Sequence, residues 1–307
     1  MSDPPRLPRD PTDLARVAVA AHQADDFATA ERGYRALLAD SPASFFALHQ
    51  LGVLCAQTGR AAEAVALLRR AATLRPSEPA TLIQLGKAYM LAGDTAAALA
   101  QFGRALARDP DLTTARFDRA VCLQARGDSA EAAAEYRRII AADPDHAQAH
   151  NNLGNLLLTA GDDVAAAPLF QAAIALDPDY AEAYNNFAGF HLRRGDVAAA
   201  EAMFAHAIAL QPDYADAMAN LGTLLAMTGR ADAALRQFRA AVAAAPAAVM
   251  PRWMLADALA QGGDLAAAAE VLREAWRLDP DNAETGARLA SIRAALGHTA
   301  EAAVGPA

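Results

Sequence analysis

Two asparagine pairs, Asn151-Asn152 and Asn185-Asn186, stand 34 residues apart in stretches that otherwise read as helix. Asparagine is a poor helix former because its amide competes for backbone hydrogen bonds. Its return at a fixed period therefore points to a role outside the helix's own ladder. A carboxamide carries both a donor and an acceptor, which matches the N–H and C=O of a peptide backbone. The chemistry on offer is recognition by hydrogen bonding, without bond making.

Residues with more reactive side chains do not assemble into a site. His146 and His150 have the (i, i+4) spacing at which one helix offers two metal ligands. No third ligand accompanies them, and they read as part of a solvated turn. His191 stands where Leu157 and Leu225 stand one period away, and reads as a partly buried, hydrogen-bonded side chain. Cys55 and Cys122 fall inside helices, where a free cysteine behaves as a small apolar residue. The strings "RGD" and "GGD" are turns before helices, with no strand to make a phosphate loop. No catalytic constellation, metal site or cofactor is expected.

What must position the asparagines is a period. Prolines stand at Pro42, Pro76, Pro110, Pro144, Pro178, Pro212, Pro246 and Pro280, each 34 residues after the last. Glycines follow the same spacing at Gly59, Gly93, Gly127, Gly161, Gly195, Gly229, Gly263 and Gly297. Half of the 16 prolines share one phase, so the chain reads as an array of repeats rather than as two ordinary domains. In each unit a first helix carries Leu-Gly or a close substitute, as in Leu51-Gly52, Leu85-Gly86, Leu153-Gly154 and Leu221-Gly222. A turn glycine then supplies the left-handed conformation that ends a helix. The second helix carries alanine and, four residues on, a large side chain. Examples are Ala64 with Leu68, Ala98 with Phe102, Ala132 with Tyr136, Ala166 with Phe170, and Ala234 with Phe238. That spacing puts both on one helix face, where the alanine admits a neighbouring helix and the ring fills the gap beside it. Proline stops the second helix, and Asp111, Asp145, Asp179, Asp213 and Asp281 behind it are suited to cap the next one.

This pattern resembles the tetratricopeptide repeat (TPR), a 34-residue helix–turn–helix with Leu-Gly, Ala, Phe and Pro at these places. The resemblance covers about residues 11–296. Eight units start near Pro11, Phe45, Pro79, Thr113, Ala147, Ala181, Ala215 and Val249. The expected organisation is a tail at 1–10, repeats at 11–282, a capping helix at 283–296 and a tail at 297–307. Glu284, Arg288 and Arg293 give that last helix the polar outer side that a solenoid end requires. Asp25 replaces the turn glycine in the first unit, as suits the other end. The resemblance implies an all-α fold, a right-handed superhelical solenoid whose first helices line the concave face. A starting Met and a closing cap lead us to expect an intact chain with no room for a catalytic domain, and no enzyme.

Counted from these starts, the sixth residue of units two to seven reads Gln50, Gln84, Asp118, Asn152, Asn186 and Asn220. In the family this place faces the concave surface, together with the fifth (Asn151, Asn185) and the ninth (Asn155). Packed helices lie about 8–10 Å apart and an extended chain rises about 3.3 Å per residue. One rung would then meet a bound backbone about every three residues without reading side chains. The run is similar to the asparagine ladder of the nucleocytoplasmic O-linked N-acetylglucosamine transferases, which holds extended protein substrates by their backbone. The likeness is carried by Asn152, Asn186 and Asn220, weakens at Gln50 and Gln84, and fails at Met254. The alternative is that the amides bond the neighbouring helix and stiffen the stack, and both roles are compatible.

A second known binding mode, the carboxylate clamp, is rejected. Asn155 and Asn186 match its two asparagines, but Asn151, Asp216 and Asn220 stand where Lys, Lys and Arg are needed. In the eighth unit Met250, Trp253 and Met254 make an apolar patch that either anchors a partner or packs against the last helix. Arg116 and Arg119 are expected to snorkel, with heads in water.

The net charge of −9, with no basic stripe, argues against nucleic acid. "MSDPPRLPRDP" lacks an apolar signal core, and no run of 18 apolar residues suggests a membrane span. Two distant cysteines exclude a disulfide framework and a zinc ribbon, so a cytoplasmic location is expected. Charges on the inner face lean acidic, with Asp118, Glu182, Asp216, Asp257 and Glu284 against Lys87 and Arg288. The expected function is a protein–protein interaction module that holds an extended polypeptide segment, neutral to mildly basic. A self-associating scaffold (a homo-oligomer) and the substrate-recruiting subunit of a separately encoded transferase are the alternatives.

Overall fold

The computed structural model describes residue 8 and residues 10–303, the last six of them as backbone only. The rest of the expected tails, at 1–10 and 297–307, lies outside the described residues. Among the described residues there are seventeen α-helices and no strand. They fall into two compact units, Met1–Pro144 and Asp145–Ala307. The N-terminal unit holds α1 (Pro11–Gln23), α2 (Phe27–Asp40), α3 (Phe45–Gln57), α4 (Ala61–Leu74), α5 (Pro79–Leu91), α6 (Thr95–Arg108), α7 (Thr113–Arg126) and α8 (Ser129–Ala142). The C-terminal unit holds α9 (Ala147–Thr159), α10 (Asp163–Leu176), α11 (Ala181–Arg193), α12 (Val197–Leu210), α13 (Ala215–Met227), α14 (Ala231–Ala244), α15 (Met250–Gln261), α16 (Leu265–Leu278) and α17 (Ala283–Ala303). Within each unit every helix packs on the next, and first helices also touch: α3 on α5, α5 on α7, α9 on α11, α13 on α15.

Each pair closes on one contact. Ala64, Ala98, Ala132, Ala166, Ala200 and Ala268 are wholly buried, and so are their large partners Leu68, Phe102, Tyr136 and Phe170. The first unit follows the same rule with Ala30 and Tyr34. The first helix offers a small residue to the ring. At Gly86 a Cβ would come within 2.5 Å of Phe102, closer than van der Waals contact allows.

The turns carry the predicted left-handed glycines, at φ between 75° and 92° from Gly59 to Gly263. Asp25 takes the same place at φ 57°, the non-glycine residue that best tolerates it after asparagine. Behind the glycine the chain uses two solutions. Where Asp follows, its carboxylate in most repeats caps the second helix: Asp94 accepts from the Ala97 N–H at 3.0 Å, and Asp264 from Ala267 at 3.0 Å, whereas Asp128 leaves its helix uncapped and pairs with Arg126. Where Arg follows, it reaches back to the preceding second helix instead. Arg60 grips Glu31 with two bonds of 2.8 Å, and Arg230 grips Glu201 the same way.

Three expectations are corrected. The aspartates behind proline do not cap: the N-cap residues of α7, α9, α11 and α13 are Leu112, His146, Tyr180 and Tyr214. The Asp before proline closes the turn instead, with Asp109 accepting from the Asp111 N–H at 3.0 Å. At α17 the cap is Asn282, which accepts from Thr285 N at 3.0 Å. Secondly, α17 runs past Leu296 to Ala303, because Gly297 does not turn left-handed and the alanine-rich sequence beyond it favours helix. Thirdly, Arg116 and Arg119 do not keep their heads in water. Both bind Glu135, at 2.9 and 3.2 Å, and Arg138 joins them at 2.6 Å, because a carboxylate only 3% exposed needs paired charge.

Two substitutions test this account by thermal or urea unfolding. Asp25→Gly relieves the left-handed turn and is expected to stabilise by about 0.5–1 kcal/mol. Gly86→Ala drives a Cβ into Phe102 and is expected to cost about 1–3 kcal/mol.

Candidate functional site

Five asparagines of the C-terminal unit, Asn151, Asn152, Asn185, Asn186 and Asn220, form one connected chain. Asn186 Nδ2 donates to Asn151 Oδ1 at 3.1 Å, and Asn220 Nδ2 donates to Asn185 Oδ1 at 3.0 Å. Within the pairs, Asn151 Nδ2 donates to Asn152 Oδ1 at 3.3 Å and Asn185 Nδ2 to Asn186 Oδ1 at 3.4 Å. The fifth-position amides, Asn151 and Asn185, are buried, whereas Asn152, Asn186, Asn220 and Asn155 are half-buried. The pairs thus divide the work: one amide lies under the surface and holds the other at a set angle. An amide has two N–H donors and two acceptor lone pairs, so the bonds that Asn186 and Asn220 make to the buried row use only part of what each can offer.

Two tyrosines that sequence reasoning missed complete this layer. Tyr180 OH accepts from Asn151 Nδ2 at 3.3 Å and donates to Glu182 Oε2 at 3.3 Å, while Asn151 Nδ2 also meets Glu182 Oε1 at 3.2 Å. Burial, then the Glu182 carboxylate, pushes the Tyr180 phenol far above its ordinary value. Tyr214, one period on, is pushed up to about 12 by burial and then by Glu182 and Asp216. Both phenols therefore stay protonated, and Tyr180 remains a donor to Glu182. Their signal in the sequence was the recurring Pro-Asp-Tyr before the asparagine helices.

The N-terminal unit builds the same positions differently. Gln50 and Gln84 are half-buried, and Gln50 lines a hollow with His22, Tyr34 and Gln57. Asp118 is an ion-paired rung: Lys87 Nζ lies 3.2 Å from its Oδ2, although burial still raises the carboxyl pKa. Beneath Gln50, at the fifth position, His49 Nδ1 bonds Thr81 Oγ1 at 3.0 Å, and burial pushes its imidazole below the usual range.

In the eighth repeat Trp253 is committed to the end of the array. Its Nε1 donates to the buried Thr285 Oγ1 at 2.9 Å, and Arg288 lies 5.2 Å over the ring. Of the two expectations for this patch, packing against the last helix therefore describes Trp253. Met250 remains exposed, and Met254 lines a hollow between α13 and α15 with Thr223, Met227, Asp257 and Gln261. Met227, which sequence reading passed over, is 71% exposed. Two inner acids are already paired, since Arg288 holds Asp257 at 2.5 Å and Glu284 at 2.9 Å.

The histidines and cysteines take structural places. His146 caps α9, its Nδ1 accepting from Ala149 N at 3.2 Å. His191 packs 4.5 Å from Phe187 and lies 3.3 Å from Asp196. Cys55 and Cys122 are buried. Among the described residues no cluster of three or more His, Cys, Asp or Glu could hold a metal ion. No helix among them is long and apolar enough to cross a membrane.

Comparison with known families decides the class. A sequence profile of the tetratricopeptide repeat matches residues 13–79, 83–144, 123–181 and 228–283, and a second tetratricopeptide-repeat profile matches 179–247. The chain belongs to the tetratricopeptide-repeat family. No curated protein matches the sequence of this TPR chain. Among solved structures it is similar to yeast Tom70 (16% identity, TM-score 0.74, covering 97% of this chain and 66% of that one). It is also similar to a tetratricopeptide repeat protein from Parabacteroides merdae (18% identity, TM-score 0.66, covering 81% and 99%). A third is the APC/C hetero-tetramer Cut9-Hcn1 (17% identity, TM-score 0.65, 91% of this TPR chain). The chain spans 55% of the length of that last relative. At these identities the likeness concerns the fold.

Two measurements test this layer. Asn151→Ala strands the Asn186 Nδ2 donor and leaves Tyr180 OH and Glu182 Oε1 without the buried amide's N–H, and is expected to cost about 1–3 kcal/mol in urea unfolding. His49, with its folded pKa depressed, binds protons more readily in the unfolded chain. Its share of stability is present above the unfolded value near 6.5 and is lost as pH falls from there through the lower folded value. The urea midpoint should drop between pH 7.5 and pH 5, with a smaller drop in His49→Gln.

Proposed function

We propose that the C-terminal unit holds an extended polypeptide segment across α9, α11 and α13, with Asn152, Asn186 and Asn220 bonding its backbone. Tetratricopeptide repeats generally mediate protein–protein interaction and scaffolding, and the fold is typically a non-catalytic module. The observation that carries the finer reading is the buried second row. Asn151 and Asn185 fix the outer amides before any partner arrives, so less rotamer entropy is lost on binding. The likeness to the asparagine ladder of the O-linked N-acetylglucosamine transferases supports the same mode. Met250 and Met254, with the exposed Met227, offer adaptable apolar contact at the far end of the face.

Charge selects the segment. Residues 145–307 hold 10 arginines against 19 acidic residues, which is the whole net charge of −9, while residues 1–144 hold 17 of each sign. Glu182 and Asp216 are exposed beside the amide row. A neutral to mildly basic segment is favoured, and a strongly acidic one is repelled.

A displayed library of random dodecapeptides, selected on the wild-type chain, tests the reading. The triple variant Asn152→Ala, Asn186→Ala, Asn220→Ala, checked by circular dichroism for retained helix, should bind the selected peptides at least tenfold more weakly. Three lost hydrogen bonds at about 0.5–1.5 kcal/mol each account for that factor. Equal affinity for both chains would sink the ladder.

A further inference from the structure

Gly189 stands one turn beyond Asn186 on α11, at the ninth place of its repeat. The same place is filled by Asn155 on α9 and Thr223 on α13. Glycine in a helix interior is less favourable than any residue but proline, so its presence calls for a local cause. At most other glycines of this chain the cause is visible. At Gly86, Gly154 and Gly222 a Cβ would meet a phenylalanine ring at 2.5 to 3.0 Å, and from Gly59 to Gly263 the turn glycines carry positive φ. Neither applies to Gly189. A Cβ built there meets nothing within 4 Å, and its φ is not left-handed. Its neighbour Ala188, wholly buried, already supplies the small residue that faces the second helix.

The open space lies on the amide face. Gly189 is three residues from Asn186 and seven from Glu182, spacings that place all three along one side of α11. Buried Asn185 joins this helix to α13, and Asn186 joins it to α9. Gly189 is thus the one bare stretch of backbone in a row otherwise furnished with polar side chains. We infer that Gly189 is the point of closest approach, where the backbone of the bound segment lies directly against α11. This rests on the proposed peptide-binding role of the face. The occupant is an extended segment with a basic side chain near this point, turned toward Glu182 and Asp216. Those carboxylates sit near the starts of α11 and α13, and Glu182 is about 10 Å along the helix from Gly189.

Gly103 provides the control. It too is a helix-interior glycine with nothing within 4 Å of a built Cβ, but it lies on second helix α6 of the other unit. Alanine at either site should raise the unfolding midpoint by about 2 °C, since both gain helix propensity at no steric cost. Affinity separates them. With dodecapeptides selected on the wild-type chain, Gly189→Leu is expected to lose at least tenfold in Kd, with a smaller loss for Gly189→Ala, while Gly103→Leu binds as wild type does. If Gly189→Leu keeps full affinity while the triple asparagine variant loses it, the close approach is overturned and the ladder stands. If the triple variant also binds normally, or no peptide is selected at all, both readings fall together. Circular dichroism of each variant confirms that an affinity loss is not unfolding.

Discussion

The fold depends on a small residue of one helix receiving a large side chain of the next, repeated in every pair. Ala98 and Gly86 around Phe102 show it in its tightest form. No single pair has a core of its own, and each apolar face is satisfied only by the pair beside it. The contact also sets spacing. Because the same small-to-large fit recurs, equivalent residues of neighbouring first helices fall side by side within each unit. That is why an asparagine at one fixed place becomes a row.

The row is functional material only because it has a second layer. A surface amide on a free rotamer spends entropy when it binds. Here the buried Asn151 and Asn185 hold their neighbours, and Tyr180 with Glu182 holds Asn151. The N-terminal unit shows the same positions without that support, with Asp118 committed to Lys87 and His49 turned to Thr81. One architecture thus carries two surfaces of different chemistry: one neutral overall, one bearing the whole negative charge.

The turns show how a repeat varies without moving. An aspartate behind the left-handed glycine, as at Asp94 and Asp264, satisfies a free N–H group of its own helix. An arginine in that place leaves the helix without a side-chain cap and clamps the preceding repeat through Glu31 or Glu201. Both join adjacent elements, one along the chain and one across it.

The sequence alone determined the repeat, its eight pairs, the left-handed turns and the buried alanine-over-ring contact. Each is a signal written within one helix or one turn, where glycine, proline and (i, i+4) spacing act through local sterics. It also marked the amide positions, though not how they are used. Only the tertiary structure decided that Asn151 and Asn185 lie beneath Asn152 and Asn186, that Trp253 closes on Thr285, and that Arg116 and Arg119 meet Glu135. It also moved the helix caps from the aspartates behind proline to residues further on. A polar side chain has several partners of equal chemistry within reach along the sequence. The choice among them is made by which neighbouring helix brings a donor or acceptor within about 3 Å, and that distance exists only once the helices have packed.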